Sequence, residues 1–121
     1  MKIMIVDDHA AMRGLLCSIV SRLIPQELQI IECESGEAAV SLYAEQQPDC
    51  VLMDLELGQM SGFEAIRQIR AGDGDARIIV VTSHATAPFR ARAEALQVNG
   101  FVTKDNLSEI EPLLISNPNP A

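Results

Sequence analysis

Three unbroken apolar tetrads constrain this chain more than any other feature: Ile3–Val6, Cys50–Met53 and Ile78–Val81. Each is too short to be a helix and carries no polar position, so each reads as a strand buried on both faces rather than one that alternates between core and solvent. Longer stretches with helical spacing lie between them. Met12, Leu15, Leu16, Ile19, Val20 and Leu23 form one helix face that Pro25 stops. Ser35 can cap a second helix carrying Ala39, Leu42 and Tyr43, which ends before Pro48. Ser61 and Glu64 form a capping box for a third, with Phe63, Ile66 and Ile69. Thr86 and Pro88 suit the start of a fourth, which runs to about Leu96, is rich in alanine and has the weakest apolar face. Gln29–Glu32 and Phe101-Val102 add two shorter strands, and Leu107–Ile115 reads as a last helix whose first turns Pro112 disturbs. Five strands alternating with five helices predict an α/β fold with a parallel sheet covered on both sides.

A chain of 121 residues with 48% apolar composition suits one domain with one real core. We place the domain at residues 1–116 and read 117–121, rich in Pro and Asn, as the start of a linker or a C-terminal tail. The net charge of −8 argues against direct nucleic-acid binding by this domain, because phosphate contacts need a basic face. No apolar run is long enough to cross a membrane, and the N-terminus is too short for a signal peptide, so a cytoplasmic location is expected. Cys17, Cys33 and Cys50 are odd in number and lack a C-x-x-C pair, which suits reduced, mostly buried small hydrophobes rather than a disulfide or zinc framework.

The polar residues sit where chemistry is expected. Asp7-Asp8, Asp54, Thr82 and Lys104 each follow an apolar strand. In an open parallel sheet all strand C-termini share one edge, and ligands bind there at the point where strand order reverses. The three carboxylates would repel one another; a like-charge pair at about 4 Å and an effective dielectric near 20 costs roughly 4 kcal/mol. A divalent cation would relieve this, and an oxygen-only donor set selects Mg²⁺. Lys104 adds a point charge suited to a phosphoryl oxygen and Thr82 a hydroxyl. A carboxylate nucleophile, a metal, an ammonium and a hydroxyl are the parts needed to transfer a phosphoryl group to an aspartate. Taken singly the stations are ordinary: an acid pair can be a solvated helix cap, strand ends are rich in Thr, and most lysines are on the surface. His9 suits a helix start or a contact to the acids better than a metal ligand, and His84 reads as a loop residue near the site. Gly14 has no explanation in the sequence.

Five pieces, in order and at matching spacing, resemble the CheY-like response regulator receiver family over about residues 2–116. They are Ile5-Val6-Asp7-Asp8-His9, Cys50-Val51-Leu52-Met53-Asp54-Leu55, Met60-Ser61-Gly62-Phe63-Glu64, Val80-Val81-Thr82-Ser83 and Gly100-Phe101-Val102-Thr103-Lys104. The resemblance implies a flavodoxin-like (βα)5 doubly wound sandwich with strand order 2-1-3-4-5. It implies that Asp54 accepts a phosphoryl group from a sensor histidine kinase or a phosphotransfer protein. Asp8, Asp54 and the main-chain carbonyl of Glu56 would bind Mg²⁺, with Asp7 acting through water. Thr82 would move toward the acyl phosphate, Lys104 would pair with it, and Phe101 would be the switch aromatic. The output surface would lie around helix 4, strand 5 and helix 5, about Pro88–Ile115. A homodimer or an attached DNA-binding output domain are the further partners implied.

Some positions depart from the family. Gly58 stands where Pro is frequent and should loosen that loop. Asp105 replaces the Pro that often follows the lysine, and the Lys104-Asp105 pair is more like receivers of NarL/FixJ-type regulators. Pro112 in a short last helix argues against dimerisation through it. Glu56 and His84 occupy the two positions that tune phosphoryl lifetime in the family. The receiver performs chemistry on itself and is not a turnover enzyme. Two other readings stand beside it: a phosphate-independent, receiver-like protein-binding module, and an aspartate-nucleophile phosphatase of the haloacid dehalogenase type. The second would need D-x-D after a strand, where Asp54-Leu55-Glu56 offers only Glu, and it lacks a cap domain.

Overall fold

In the computed structural model, which describes residues 1–115, five parallel strands form one sheet in the order β2-β1-β3-β4-β5. The expected tail at 117–121, like residue 116, lies outside the described residues. The strands are β1 (Lys2–Val6), β2 (Gln29–Cys33), β3 (Cys50–Met53), β4 (Ile78–Thr82) and β5 (Gly100–Thr103). Between and after them run α1 (Ala10–Leu23), α2 (Gly36–Gln46), α3 (Gly62–Gly72), α4 (Ala87–Ala95) and α5 (Ile110–Ile115). The flavodoxin-like doubly wound architecture expected from the sequence is the one observed.

The apolar tetrads occupy the centre of the sheet because only there is a strand covered twice. Side chains alternate across the pleat. Met4, Val6, Val51, Met53, Ile78 and Val80 face one layer, formed by α2, α3 and α4 through Ala39, Tyr43, Phe63, Ile66, Ile69 and Ala93. Ile3, Ile5, Cys50, Leu52, Ile79 and Val81 face the other, formed by α1 and α5 through Leu16, Val20, Ile110 and Leu114. Burying each such aliphatic side chain contributes about 1.5–3 kcal/mol. The edge strands β2 and β5, the two shorter strands expected from the sequence, are only half-covered. Buried Cys33 and Cys50 are free thiols, and burial pushes both pKa values up to about 11.

The helix ends follow local chemistry. Ser35, Ser61 and Thr86 each accept a hydrogen bond from a first-turn N–H, of Ala38, Glu64 and Phe89 respectively. The capping box at Ser61 is half-made: the Glu64 carboxylate turns to Arg67 and Gln68 instead of reaching back. Helix α1 begins two residues before Met12, with His9 as an N-cap that makes no side-chain cap bond; just before it the Asp7 carboxylate accepts from the His9 N–H at 2.9 Å. Leu15, read as part of its apolar face, is exposed; it falls at the outer edge of a buried line through Leu16 and Val20. The last helix is split. A 3-10 turn covers Leu107–Glu109 and the α-helix starts only at Ile110. That puts Pro112 in the first turn of α5, where its missing N–H has no helical partner to lose.

Two helical glycines have opposite meanings. A Cβ at Gly62 would lie 2.1 Å from the carbonyl oxygen of Asp54 and 2.7 Å from Leu55 Cα, so α3 can start against the end of β3 only with glycine there. A Cβ at Gly14 meets nothing within 4 Å. Gly62→Ala is therefore expected to destabilise by about 1–3 kcal/mol or more. Gly14→Ala should stabilise by about 1 kcal/mol. Urea unfolding of the two variants checks both, and equal effects of one sign would contradict the assignment.

Candidate functional site

The strand ends bring the predicted stations into one crevice. Asp7 follows β1, Asp54 follows β3, Thr82 ends β4 and Lys104 follows β5, and Asp7, Asp54 and Thr82 are all at most 2% exposed. Parallel pairing puts them on one edge, and backbone bonds hold the register. Asp54 N–H donates to Val6 O at 3.0 Å, and Lys104 N–H to Thr82 O at 2.9 Å.

Lys104 is the centre of this geometry. Its Nζ lies 2.8 Å from Asp7 Oδ2 and 3.3 Å from Asp54 Oδ2. The contact to Asp54 is aligned as a hydrogen bond; the closer approach to Asp7 is not, and Asp7 Oδ2 is a buried oxygen without a hydrogen-bond donor. The other Asp54 oxygen accepts from Glu56 N–H at 3.2 Å. Burial pushes the Asp54 carboxyl above its ordinary value near 3.8; the Lys104 charge and the Glu56 N–H pull it down, while the Asp7 charge pushes it up again. Burial alone would lower the Lys104 pKa, but the charges of Asp54 and Asp7 outweigh it and leave it raised. Lys104 is therefore a permanent cation between two buried acids.

Asp8 stands at the mouth of the crevice with its side chain 38% exposed. His9 occupies the helix-start position expected of it, and its Nδ1 lies 2.9 Å from Asp8 Oδ1 and 3.3 Å from Asp7 Oδ1. On the far wall, Ser83 Oγ donates to Glu56 Oε1 at 3.3 Å and the His84 imidazole pairs with the same oxygen. Thr82 Oγ1 accepts from His84 N–H at 3.1 Å. Phe101 is half-exposed, with the Arg90 guanidinium 4.5 Å from its ring centre. One contact was not legible as a site feature: Arg13 Nη1 donates to the Asp7 carbonyl at 2.7 Å. Its signal was a charged residue in line with Leu16 and Val20 on the inner face of α1.

The residues fit a hard divalent cation. Three carboxylates against one ammonium leave two negative charges in a crevice where the buried Asp7 Oδ2 has no hydrogen-bond donor, and the carboxylate donors are oxygens. Asp7, Asp8 and His9 also offer ligand atoms within 4.8 Å of one another.

The raised Asp54 pKa has a sign that can be measured. The fold favours the protonated acid, so that stabilisation is complete below the unfolded value and is lost as pH rises through the folded one. In EDTA, Asp54→Asn should be more stable than wild type at neutral pH, with an advantage that shrinks as pH falls toward 4. Thermal melts across that range test this, and a pH-independent difference would contradict it.

Comparison with known proteins agrees with this geometry. Residues 3–113 match the family model described as the response regulator receiver domain. The chain is 39% identical over 109 residues to the transcriptional regulatory protein YdfI of Bacillus subtilis, covering 89% of this chain and 50% of that protein. It is 35% identical over 104 residues to the chemotaxis protein CheY of Halobacterium salinarum, covering 85% of this chain and 83% of the relative. It thus spans about half the length of the transcriptional regulator and most of the chemotaxis protein. Among solved structures, a LuxR-family two-component response regulator from Aurantimonas superposes with a TM-score of 0.81 at 36% identity, covering 93% of this chain and 84% of that one. The response regulator TrrA of Thermotoga maritima, solved in complex with Mg²⁺ and BeF, has a TM-score of 0.81 at 27% identity and covers 93% and 95%. Five parallel strands in 2-1-3-4-5 order, acids and a lysine at their ends, and these relatives lead to one assignment: the chain belongs to the response regulator receiver domain family.

Proposed function

We propose that Asp54 is the phosphoacceptor of this receiver and that residues 1–116 form the switch. The observation that carries the reading is Lys104 Nζ lying 2.8 Å from Asp7 Oδ2 and 3.3 Å from Asp54 Oδ2 at the C-terminal edge of the sheet. A carboxylate oxygen of Asp54 attacks the phosphorus of a phosphohistidine on a sensor kinase or phosphotransfer protein. A P–O bond forms, the P–N bond breaks, and the departing imidazole takes a proton from water. Lys104, already charged and already placed, pairs with a phosphoryl oxygen without reorganising. Thr82 offers its hydroxyl to another once it swings toward the acceptor. Asp8, Asp54 and the main-chain carbonyl of Glu56 would hold Mg²⁺, with Asp7 bound through water; when bound, the ion neutralises charge at the transferring group. The chemistry is done on the protein itself, so this is a switch and not a turnover enzyme.

The switch connects to α4 and β5. Phosphorylation adds charge at Asp54, draws Thr82 in and leaves room for Phe101 to turn inward, which remodels the surface around Pro88–Ile115. The kinship with LuxR-family and other transcriptional regulators favours an attached DNA-binding domain as the reader of that surface, with the acidic receiver making no nucleic-acid contact of its own. A cytoplasmic location follows from partnership with a kinase.

Incubation with acetyl phosphate and Mg²⁺, followed by intact-mass measurement, should give one phosphoryl adduct on the wild type. EDTA or Asp54→Ala should abolish it, and Lys104→Ala should slow its formation on the order of 10²-fold. An adduct that persists in Asp54→Ala would place the acceptor elsewhere, and none on the wild type would favour a phosphate-independent binding module.

A further inference from the structure

Arg13 lies at i, i+3 and i+7 with the buried Leu16 and Val20, on the face of α1 that meets the sheet. A charged group there needs polar partners to offset its burial. It has two. Nη1 donates to the Asp7 carbonyl at 2.7 Å, and Nε donates to Glu32 Oε1 at 3.1 Å. The Arg13 side chain is only 15% exposed. Its guanidinium therefore braces the end of β1 against β2.

The Asp7 carbonyl belongs to the planar peptide that joins Asp7 to Asp8, so fixing that oxygen fixes the plane between the two acids. The rest of Asp7 is also tied. Its N–H donates to Cys33 O at 3.1 Å, and Oδ1 accepts from His9 N–H at 2.9 Å. With main chain and Oδ1 both committed, Oδ2 is left facing the crevice, where it has no aligned hydrogen-bond donor and only the Lys104 ammonium beside it, at 2.8 Å.

We propose that Arg13 is a positioning residue for cation binding: it sets the Asp7-Asp8 peptide so that both carboxylates address the same ion. The inference rests on the reading of the crevice as a Mg²⁺ site, and its sign separates it from simple electrostatics. As a bare positive charge near the acids, Arg13 would oppose a cation, and removing it would tighten binding. As a brace it favours binding, and removing it weakens binding, by roughly tenfold if it acts like other outer partners of metal ligands.

Calorimetric titration with Mg²⁺ decides between these, with each protein first checked for native secondary structure by circular dichroism. Arg13→Ala should weaken binding about tenfold. Arg13→Lys, which keeps the charge and loses the planar fork, should recover only part of that loss. Glu32→Gln, which loosens the far end of the brace, should cause a smaller loss. Wild-type affinity or tighter binding in Arg13→Ala overturns the inference. If that variant does not fold, unchanged affinity in both Arg13→Lys and Glu32→Gln overturns it equally. A wild type that takes up no Mg²⁺ overturns the cation reading beneath it, which distinguishes that failure from the failure of the brace.

Discussion

Two buried carboxylates held against one ammonium are the constraint on which the rest of this structure depends. Asp7 and Asp54 are each at most 2% exposed and share Lys104. Desolvating charges this way costs several kcal/mol per ion before any attraction is counted, and one cation cannot satisfy three acids. The fold tolerates this because the strands that carry the acids are among its best-buried elements. Every residue of β3 and β4 is buried, and four of the five in β1 are. The apolar tetrads and the acids are thus one design: dense hydrophobic strands hold unfavourable charges at their ends, where a divalent ion would relieve them.

In the proposed switch, the same arrangement would direct the response outward. Thr82 and Lys104 are joined by a backbone hydrogen bond, so a pull on the Thr82 side chain is felt where β4 and β5 end. The neighbouring α4 is the α-helix with the fewest buried residues: it buries one, Ala93, and its Thr86 cap bond is long at 3.4 Å. Weakly packed elements open at the least cost in free energy. Arg90 over the half-exposed Phe101 ring is a modest cation–π contact, on the order of 0.5–1 kcal/mol at an exposed site. In the proposed switch, this is the face that a small change at the crevice would reset without disturbing the core.

How much was legible in the sequence depended on how local each signal was. The tetrads identified the central strands because burial on both faces leaves an unbroken apolar run. The acids, Thr82 and Lys104 were found because strand ends must converge in a parallel sheet. The edge strands were read one or two residues short, since half-covered strands mix polar residues into the pattern. The start of α1 was legible only through His9, because its N-cap makes no side-chain cap bond of the kind a Ser or Thr supplies. Arg13 escaped because periodicity counts apolar positions and passes over a charge among them. The close approach at Gly62 could not be read at all, because it depends on how α3 meets the turn after β3, a contact made in three dimensions.

We propose a crevice that is a cation and phosphoryl site wired to the α4–β5 face. Amide NMR with Mg²⁺, before and after addition of beryllofluoride, tests it most directly. Mg²⁺ alone should shift the signals of Asp8, Asp54 and Glu56, and beryllofluoride should then move Thr82, Lys104, Phe101 and the residues of α4. Shifts that never reach Phe101 and α4, or an unchanged spectrum at Asp8 and Asp54, would contradict it.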